Sequence, residues 1–326
     1  MKKFFVLFLL TTQAALADIV LYTDRPTARL QPIADQFTAE TGEKVQIVEM
    51  AYPQIKARIE AEGDQSPADL IFVKDLIYLN EMSQLKWFKP LQTEQIRSLL
   101  PNHFVHSQND WAVISYRART VVYNTNTVNP ADIQDYADLA KPEWAGRICV
   151  RSGTHPYNQA LVSSFIHNYG YEQTKTFLSS IIENLATAPI SGDTAVLNAI
   201  ANGQCDVGIV NHYYLAPLVE ANPAFPVKAL FVNQNSTGTH VNGTGIGIYK
   251  NSKNAAAAQK FVEFMLTDKI QLEFSAAHYD YPAKTNLIPS SLIRDWGTFK
   301  TDSVAWENLG LYFNQSLTLI NEIGYK

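Results

Sequence analysis

A regular alternation of two patterns most constrains what this chain can fold into. "DIVLYTDR" is a short apolar run ending in polar residues, read as a buried strand entering a loop. "TARLQPIADQFTAETG" then sets Leu30, Ile33, Ala34 and Phe37 at helical spacing, with Gly42 as the stop. "EKVQIVEM" is a second strand, "PQIKARIEAEG" a helix stopped by Gly63, "ADLIFV" a strand bounded by Pro67, and "LIYLNEMSQL" a helix. Strands that alternate with helices predict an α/β lobe with a largely parallel sheet.

A second series starts after "WAVISYRARTVVYN", a long run of β-formers. "GRICVRS" reads as a strand, "YNQALVSSFIHNYG" and "TAVLNAIANG" as helices with glycine stops, and "CDVGIVN" as a strand. "YYLAPLVEANP" is helical up to Pro223, "STGTHVNGTGIGIYK" is glycine-rich and then β-like, and "NAAAAQKFVEFMLTD" is a strong helix. The stretch from Ser290 reads as further helix. The expected fold class is α/β with two lobes. Two long β segments, 115–124 and 239–249, are candidates for the crossings between them. Residues 18–114 plus 239–285 would form the first lobe, and 115–238 plus 286–326 the second. A chain that crosses twice suits a hinged binding protein; the plainer alternative is one large α/β domain.

The N-terminus, "MKKFFVLFLLTTQAALA", has a basic head, an apolar run too short to span a bilayer, and a small-residue cleavage site at Ala15-Leu16-Ala17. Residues 1–17 are expected to be a signal peptide, which makes the mature chain a soluble exported protein beginning at Asp18. The net charge of −5 argues against nucleic acid and anionic lipid as partners. Two cysteines, Cys149 and Cys205, are expected to pair in the oxidising conditions an exported protein meets. Two separated thiols are too few soft ligands for a metal site.

The chemistry is concentrated in "NHYYLAPL", where Tyr213 and Tyr214 are adjacent. Neighbouring side chains of a regular strand point apart, but these two sit at a strand-to-helix turn, where they can converge. Tyr157 occupies an equivalent turn after "GRICVRS". Carboxyl ends of strands in open α/β sheets are where ligands bind. Phenol is a poor ligand while protonated, but a hard trivalent cation can displace the proton. Three phenolates balance three positive charges, and hard oxygen donors suit Fe(III). Stacking of the rings on a sugar or a cation is the competing chemistry.

With these residues the chain resembles the periplasmic ferric-iron-binding proteins of ABC transporters, the transferrin-like branch of the type II periplasmic binding proteins. The matching stretches are "YTDR", "RARTVVYN", "PEWAGRICVRS", "YNQALVSSFI", "GQCDVGIVNHYYL", "GTHVNGTGIGIYK" and "YDYPA", in order over most of the chain. The resemblance implies that Tyr157, Tyr213 and Tyr214 ligate Fe(III). It also implies delivery of the metal to an inner-membrane ABC permease from the periplasm, by a carrier expected to be monomeric. Many members carry His-Tyr after the first of these stretches; here Arg25 is followed by Pro26 and Thr27. The resemblance then implies a synergistic anion such as carbonate or citrate. Arg25, Arg117 and Arg119 are the candidates to hold it, since arginine matches carboxylate and carbonate geometry. A ferric–citrate complex or another organic anion is the alternative cargo.

Other polar residues are expected to be structural. His155 and His212 would either support the tyrosines or be exposed, Asp24 and Asp75 would cap, His240 and Asn242 would sit at the hinge, and Tyr279 and Tyr281 would pack. The glycines of 236–247 lack the lysine of a phosphate-cradling loop, and no nucleophile elbow, metal-hydrolase motif or dinucleotide fingerprint is present. Catalysis is therefore not expected.

Overall fold

The apolar runs of the N-terminal third are strands, and the amphipathic stretches between them are helices. A computed structural model describes residues 18–92, 94–287, 291–302, 304 and 306–326. The expected signal peptide, 1–17, lies outside them. β1 (Asp18–Thr23), α1 (Thr27–Thr41), β2 (Lys44–Glu49), α2 (Tyr52–Glu62), β3 (Leu70–Val73), α3 (Leu76–Gln84), β4 (Phe88–Lys89) and α4 (Glu94–Leu99) follow in order. α1 buries Leu30, Ile33, Ala34 and Phe37, the stripe its spacing requires, and ends at Gly42 with φ 78°. β1 pairs in parallel with β2 and with β3.

β5 (Ala112–Asn124) opens the second series, followed by β6 (Ile148–Val150), α5 (Pro156–Tyr169), α6 (Tyr171–Glu183), α7 (Asp193–Ala201), β7 (Val207–Asn211) and α8 (Ala216–Ala221). β8 (Val227–Leu230), β9 (Val241–Tyr249), α9 (Ala255–Met265), α10 (Asp268–His278) and β10 (Tyr281–Pro282) come next. α11 (Ser291–Asp295), α12 (Trp306–Leu309) and α13 (Phe313–Glu322) complete the order. The main strand path runs β2-β1-β3-β9-β5-β7-β6.

β5 divides its partners. Ala112–Ala118 pair with β9, and Arg119–Tyr123 pair with β7, all antiparallel. Two sets of cores lie on either side of that division. One runs from Ile19 to Ala118 and from Val241 to Leu309. The others collect Val121 to Val232 and then Leu319, Ile320 and Tyr325. The second passage thus falls between Val232 and Val241 and leads into β9. The C-terminal stretch splits its packing: Ile293, Val304, Trp306 and Leu309 join the first core, whereas Leu319, Ile320 and Tyr325 join the second. Residues 286–326 therefore do not all pack on the second lobe as their position in sequence suggested.

A disulfide joins Cys149 on β6 to Cys205 just before β7, with 5.9 Å between their Cα atoms. Among the described residues, no helix is long and apolar enough to cross a membrane.

Candidate functional site

Two strand ends of the second lobe converge on one cleft. β6 leads into α5, whose first turn carries Tyr157; β7 leads into a single tight turn that carries Tyr213 and Tyr214. The turn breaks strand alternation, so both adjacent rings face the cleft, with centroids 4.5 Å apart. Tyr213 Oη donates to Tyr157 Oη at 3.0 Å. The three half-buried tyrosines line a cavity of about 330 Å³ together with Arg25, Pro26, Arg29, Lys74, Arg117, His278 and Asp280. Four cationic side chains thus face one carboxylate along its walls.

Each of the three tyrosines predicted as a ligand is in the cleft. Burial pushes the Tyr157 phenol above its ordinary value, against the pull of Arg117. Burial pushes Tyr213 up further, and the neighbouring Tyr157 adds to it. Oxygens this close cannot all carry charge unless a cation sits among them. Among the described residues, no group of three or more His, Cys, Asp or Glu is placed to hold a metal ion. The donors that line the cleft are the three phenols, together with His278 and Asp280.

Of the three arginines expected at an anion, two line the cleft. Arg25 is held by Thr244 Oγ1 and by Asp280 Oδ2 at 3.2 Å, and its Nε has no partner. Burial pulls its pKa down, partly offset by Asp280. Arg117 lies 3.3 Å from Asp75 Oδ2 and 5.2 Å from the Tyr157 ring centre. Burial opposes its charge, but Asp75, Tyr157, Tyr213 and Asp280 together hold the guanidinium above its usual value. Arg119 is the exception. It shares the face of β5 with Arg117 but lies below the cleft, where Asn158, Asp193, Asn211 and the Ile209 carbonyl take its donors. A guanidinium with its hydrogen bonds made in the core has none to offer an anion.

The remaining expectations hold in most cases. Asp75 caps α3 through Ile77 N, and Asp24 accepts from Lys74 N. His155 caps α5 by accepting from Tyr157 N. His212 is buried behind the tyrosine pair, where Nδ1 accepts from Ala118 N at 3.1 Å and Nε2 reaches Tyr279 O at 2.8 Å. His240 N donates to Tyr136 Oη, and Asn242 donates to Asp75. Tyr281 packs on Tyr116. Tyr279, at φ 56°, packs against the first core as expected, and its Oη donates to Glu220 at 2.5 Å.

Pro26 lines the cleft without a donor, and Thr27 opens α1 with its amide on Glu49. The first-lobe wall is instead made by Arg25, Arg29, Lys74, His278 and Asp280. Sequence reasoning missed the last four. Asp280 lies in the "YDYPA" stretch already singled out, but its pairing with Arg25 spans 255 positions and leaves no local signal.

A family model described as bacterial extracellular solute-binding protein matches residues 23–272. The chain belongs to that family. This solute-binding protein is 32% identical over 315 residues to Iron uptake protein A1 of Synechocystis, covering 95% of this chain and 88% of the relative. It is 27% identical over 278 residues to the Major ferric iron-binding protein of Neisseria meningitidis, covering 84% and 83%. Among solved structures it resembles the Trichodesmium protein IdiA (FutA) in complex with iron and citrate, with TM-score 0.90, 33% identity, and 95% and 100% covered. Apo FutA2 from Synechocystis PCC6803 gives TM-score 0.88 at 32% identity, covering 95% and 99%. The fold is that of the type II periplasmic binding proteins, as the sequence led us to expect.

Proposed function

We propose that this solute-binding protein captures Fe(III) through the phenolates of Tyr157, Tyr213 and Tyr214 and hands it to an inner-membrane ABC permease. The observation that carries this reading is the 3.0 Å contact between the Tyr213 and Tyr157 oxygens, with Tyr214 beside them, in a cleft rimmed by cations. Three acidic oxygen donors and no soft ligand suit a hard trivalent ion. Relatives named for iron uptake and ferric iron binding, alike over most of their length, support it.

An anion completes the metal's surroundings. Arg25 and Arg117 hold it, with Lys74 and Arg29 at the rim. Pro26 and Thr27 supply nothing in place of the family's first-lobe ligands, and four cations against one carboxylate favour a small polyanion. Carbonate and citrate both meet that chemistry, and the Trichodesmium relative holds iron with citrate. The same charge excess favours a second reading, uptake of a preformed ferric–citrate complex.

The two lobes correspond to the two sets of cores, joined at Ala118–Arg119 of β5 and at 232–241. Contacts to cargo from both sides favour a closed state. The protein acts in the periplasm as a monomer after removal of residues 1–17, and it binds rather than catalyses.

Ferric titration of chelator-stripped protein, read by visible absorbance with and without bicarbonate and citrate, tests the reading. A phenolate-to-iron band is expected in the wild type and is lost or shifted in Tyr157→Phe and Tyr213→Phe. A protein colourless under every condition would refute iron as cargo.

A further inference from the structure

We infer that Asn211, oriented by the buried Arg119–Asp193 pair, is a positioning residue that donates a hydrogen bond to the Tyr213 phenolate and so tunes the metal-bound site. The inference rests on the tyrosinate reading proposed above.

The orientation follows from donor inventory. An arginine has donors only, so each atom facing its guanidinium must accept. Arg119 Nη1 lies 3.0 Å from Asn211 Oδ1 and 3.0 Å from Asp193 Oδ2, and Nε lies 2.6 Å from Asn158 Oδ1. Both asparagine amides therefore point their oxygens at Arg119 and their nitrogens away. Asn158 Nδ2 then donates to the carbonyls of Arg151 and Ser152 and to Tyr325 Oη. This pins the start of α5 beside Tyr157. Asn211 Nδ2 faces Tyr213 Oη at 3.4 Å. Tyr213 receives that contact and passes its own proton towards Tyr157.

Asp193 locks the frame, since its Oδ2 also accepts from Asn211 N at 2.9 Å. Arg119, Asp193, Asn158 and Asn211 are each at most 2% exposed, so water does not compete for these bonds. The 3.4 Å contact is long for neutral groups. Once a metal has displaced the Tyr213 proton, the amide faces an anionic oxygen, and charge-assisted bonds are shorter and stronger. An N–H donor remains a donor in both states, which a hydroxyl partner need not. It withdraws electron density from the phenolate, so it sets the energy of the oxygen-to-iron transition and how firmly that oxygen holds the ion.

The test compares wild type with Asn211→Asp and Arg119→Lys, each loaded with ferric nitrilotriacetate and followed by visible absorbance and by the rate of iron loss to a competing chelator. Asn211→Asp keeps an acceptor for Arg119 and removes the donor. Arg119→Lys keeps the charge beside Asp193 but releases the asparagine from its fixed orientation. Both are expected to move the band to longer wavelength and, because the phenolate then keeps more of its electron density for the metal, to slow iron loss by about tenfold. If either variant fails to fold, Asn211→Ala reads the same donor loss without added charge. A folded Asn211→Asp or Asn211→Ala with unchanged band position and unchanged release rate overturns the inference and leaves the iron reading standing. A wild type with no band overturns the iron reading and this inference together.

Discussion

At the scale of single residues, the cleft works by forcing oxygens that resist ionisation into one small space. Burial and mutual repulsion hold Tyr157 and Tyr213 protonated at neutral pH when nothing is bound. A bound ion must displace those protons, so binding is linked to pH with a fixed sign: affinity falls as the solution is made more acidic. Ferric retention measured against a fixed chelator should drop steadily on acidification, and Tyr157→Phe, which has one proton fewer to displace, should flatten that dependence. Removing the third phenol, in Tyr214→Phe, should weaken ferric retention by more than about tenfold in the same assay. Arg119 has a separate role in stability. It is buried against Asp193, so Arg119→Met leaves that carboxylate with only Arg151, at 3.7 Å, as a cationic partner and should cost up to about 3–5 kcal/mol, read as a lower urea midpoint.

At the scale of elements, the glycine-rich run in β9 gains a structural explanation. A Cβ on Gly245 would meet Leu79 Cδ1 at 2.6 Å, and one on Gly247 would meet Phe88 at 2.6 Å and the Asp110 carbonyl at 2.7 Å. The bare face lets α3 and β4 pack directly on the strand. Gly247→Ala should lower the denaturation midpoint by the equivalent of about 1–3 kcal/mol, since one of the atoms in the way is backbone. Most elements were legible in the sequence because local rules produce them: the α1 stripe from Leu30 to Phe37, the stop at Gly42, the long β run of β5 and the two tyrosine turns. What could not be read was set by partners distant in the chain. Arg117 and Arg119 are two positions apart on one face of one strand, and only Asp75 on one side and Asp193 on the other decide which reaches the cleft. The first-lobe wall of Lys74, His278 and Asp280 is assembled across some 200 positions and has no local pattern of its own.

At the scale of the whole molecule, the three tyrosines proposed as ligands and the disulfide lie on the same side of the β5 division. The Cys149–Cys205 bridge closes 56 residues that include Tyr157, and its loss should cost up to about 4 kcal/mol in the chain-entropy view, seen as a lower melting temperature under reductant. Acid should also destabilise the fold itself. Burial depresses His155 and His212 to about 4 and His240 to about 3, so all three are neutral in the native state at moderate pH. The unfolded chain binds these protons near pH 6.5. Stability should therefore fall as pH drops from about 6.5 towards 4, a loss measurable without any metal present.

At the passage between the cores, side chains share the bonding of β5 with the backbone, where Arg119 N still donates to the His240 carbonyl at 3.0 Å. The Ala118 amide bonds to His212 Nδ1, and the Arg119 carbonyl accepts from Tyr136 Oη. A backbone–backbone ladder must break to bend, whereas an imidazole and a phenol can follow a moving strand by rotating. Ala118 thus carries a built-in gauge. Its amide proton is shielded only while His212 stays in place, so its rate of exchange with deuterated water reports how often the two halves part. Its neighbours within either ladder would report the slower event of unfolding.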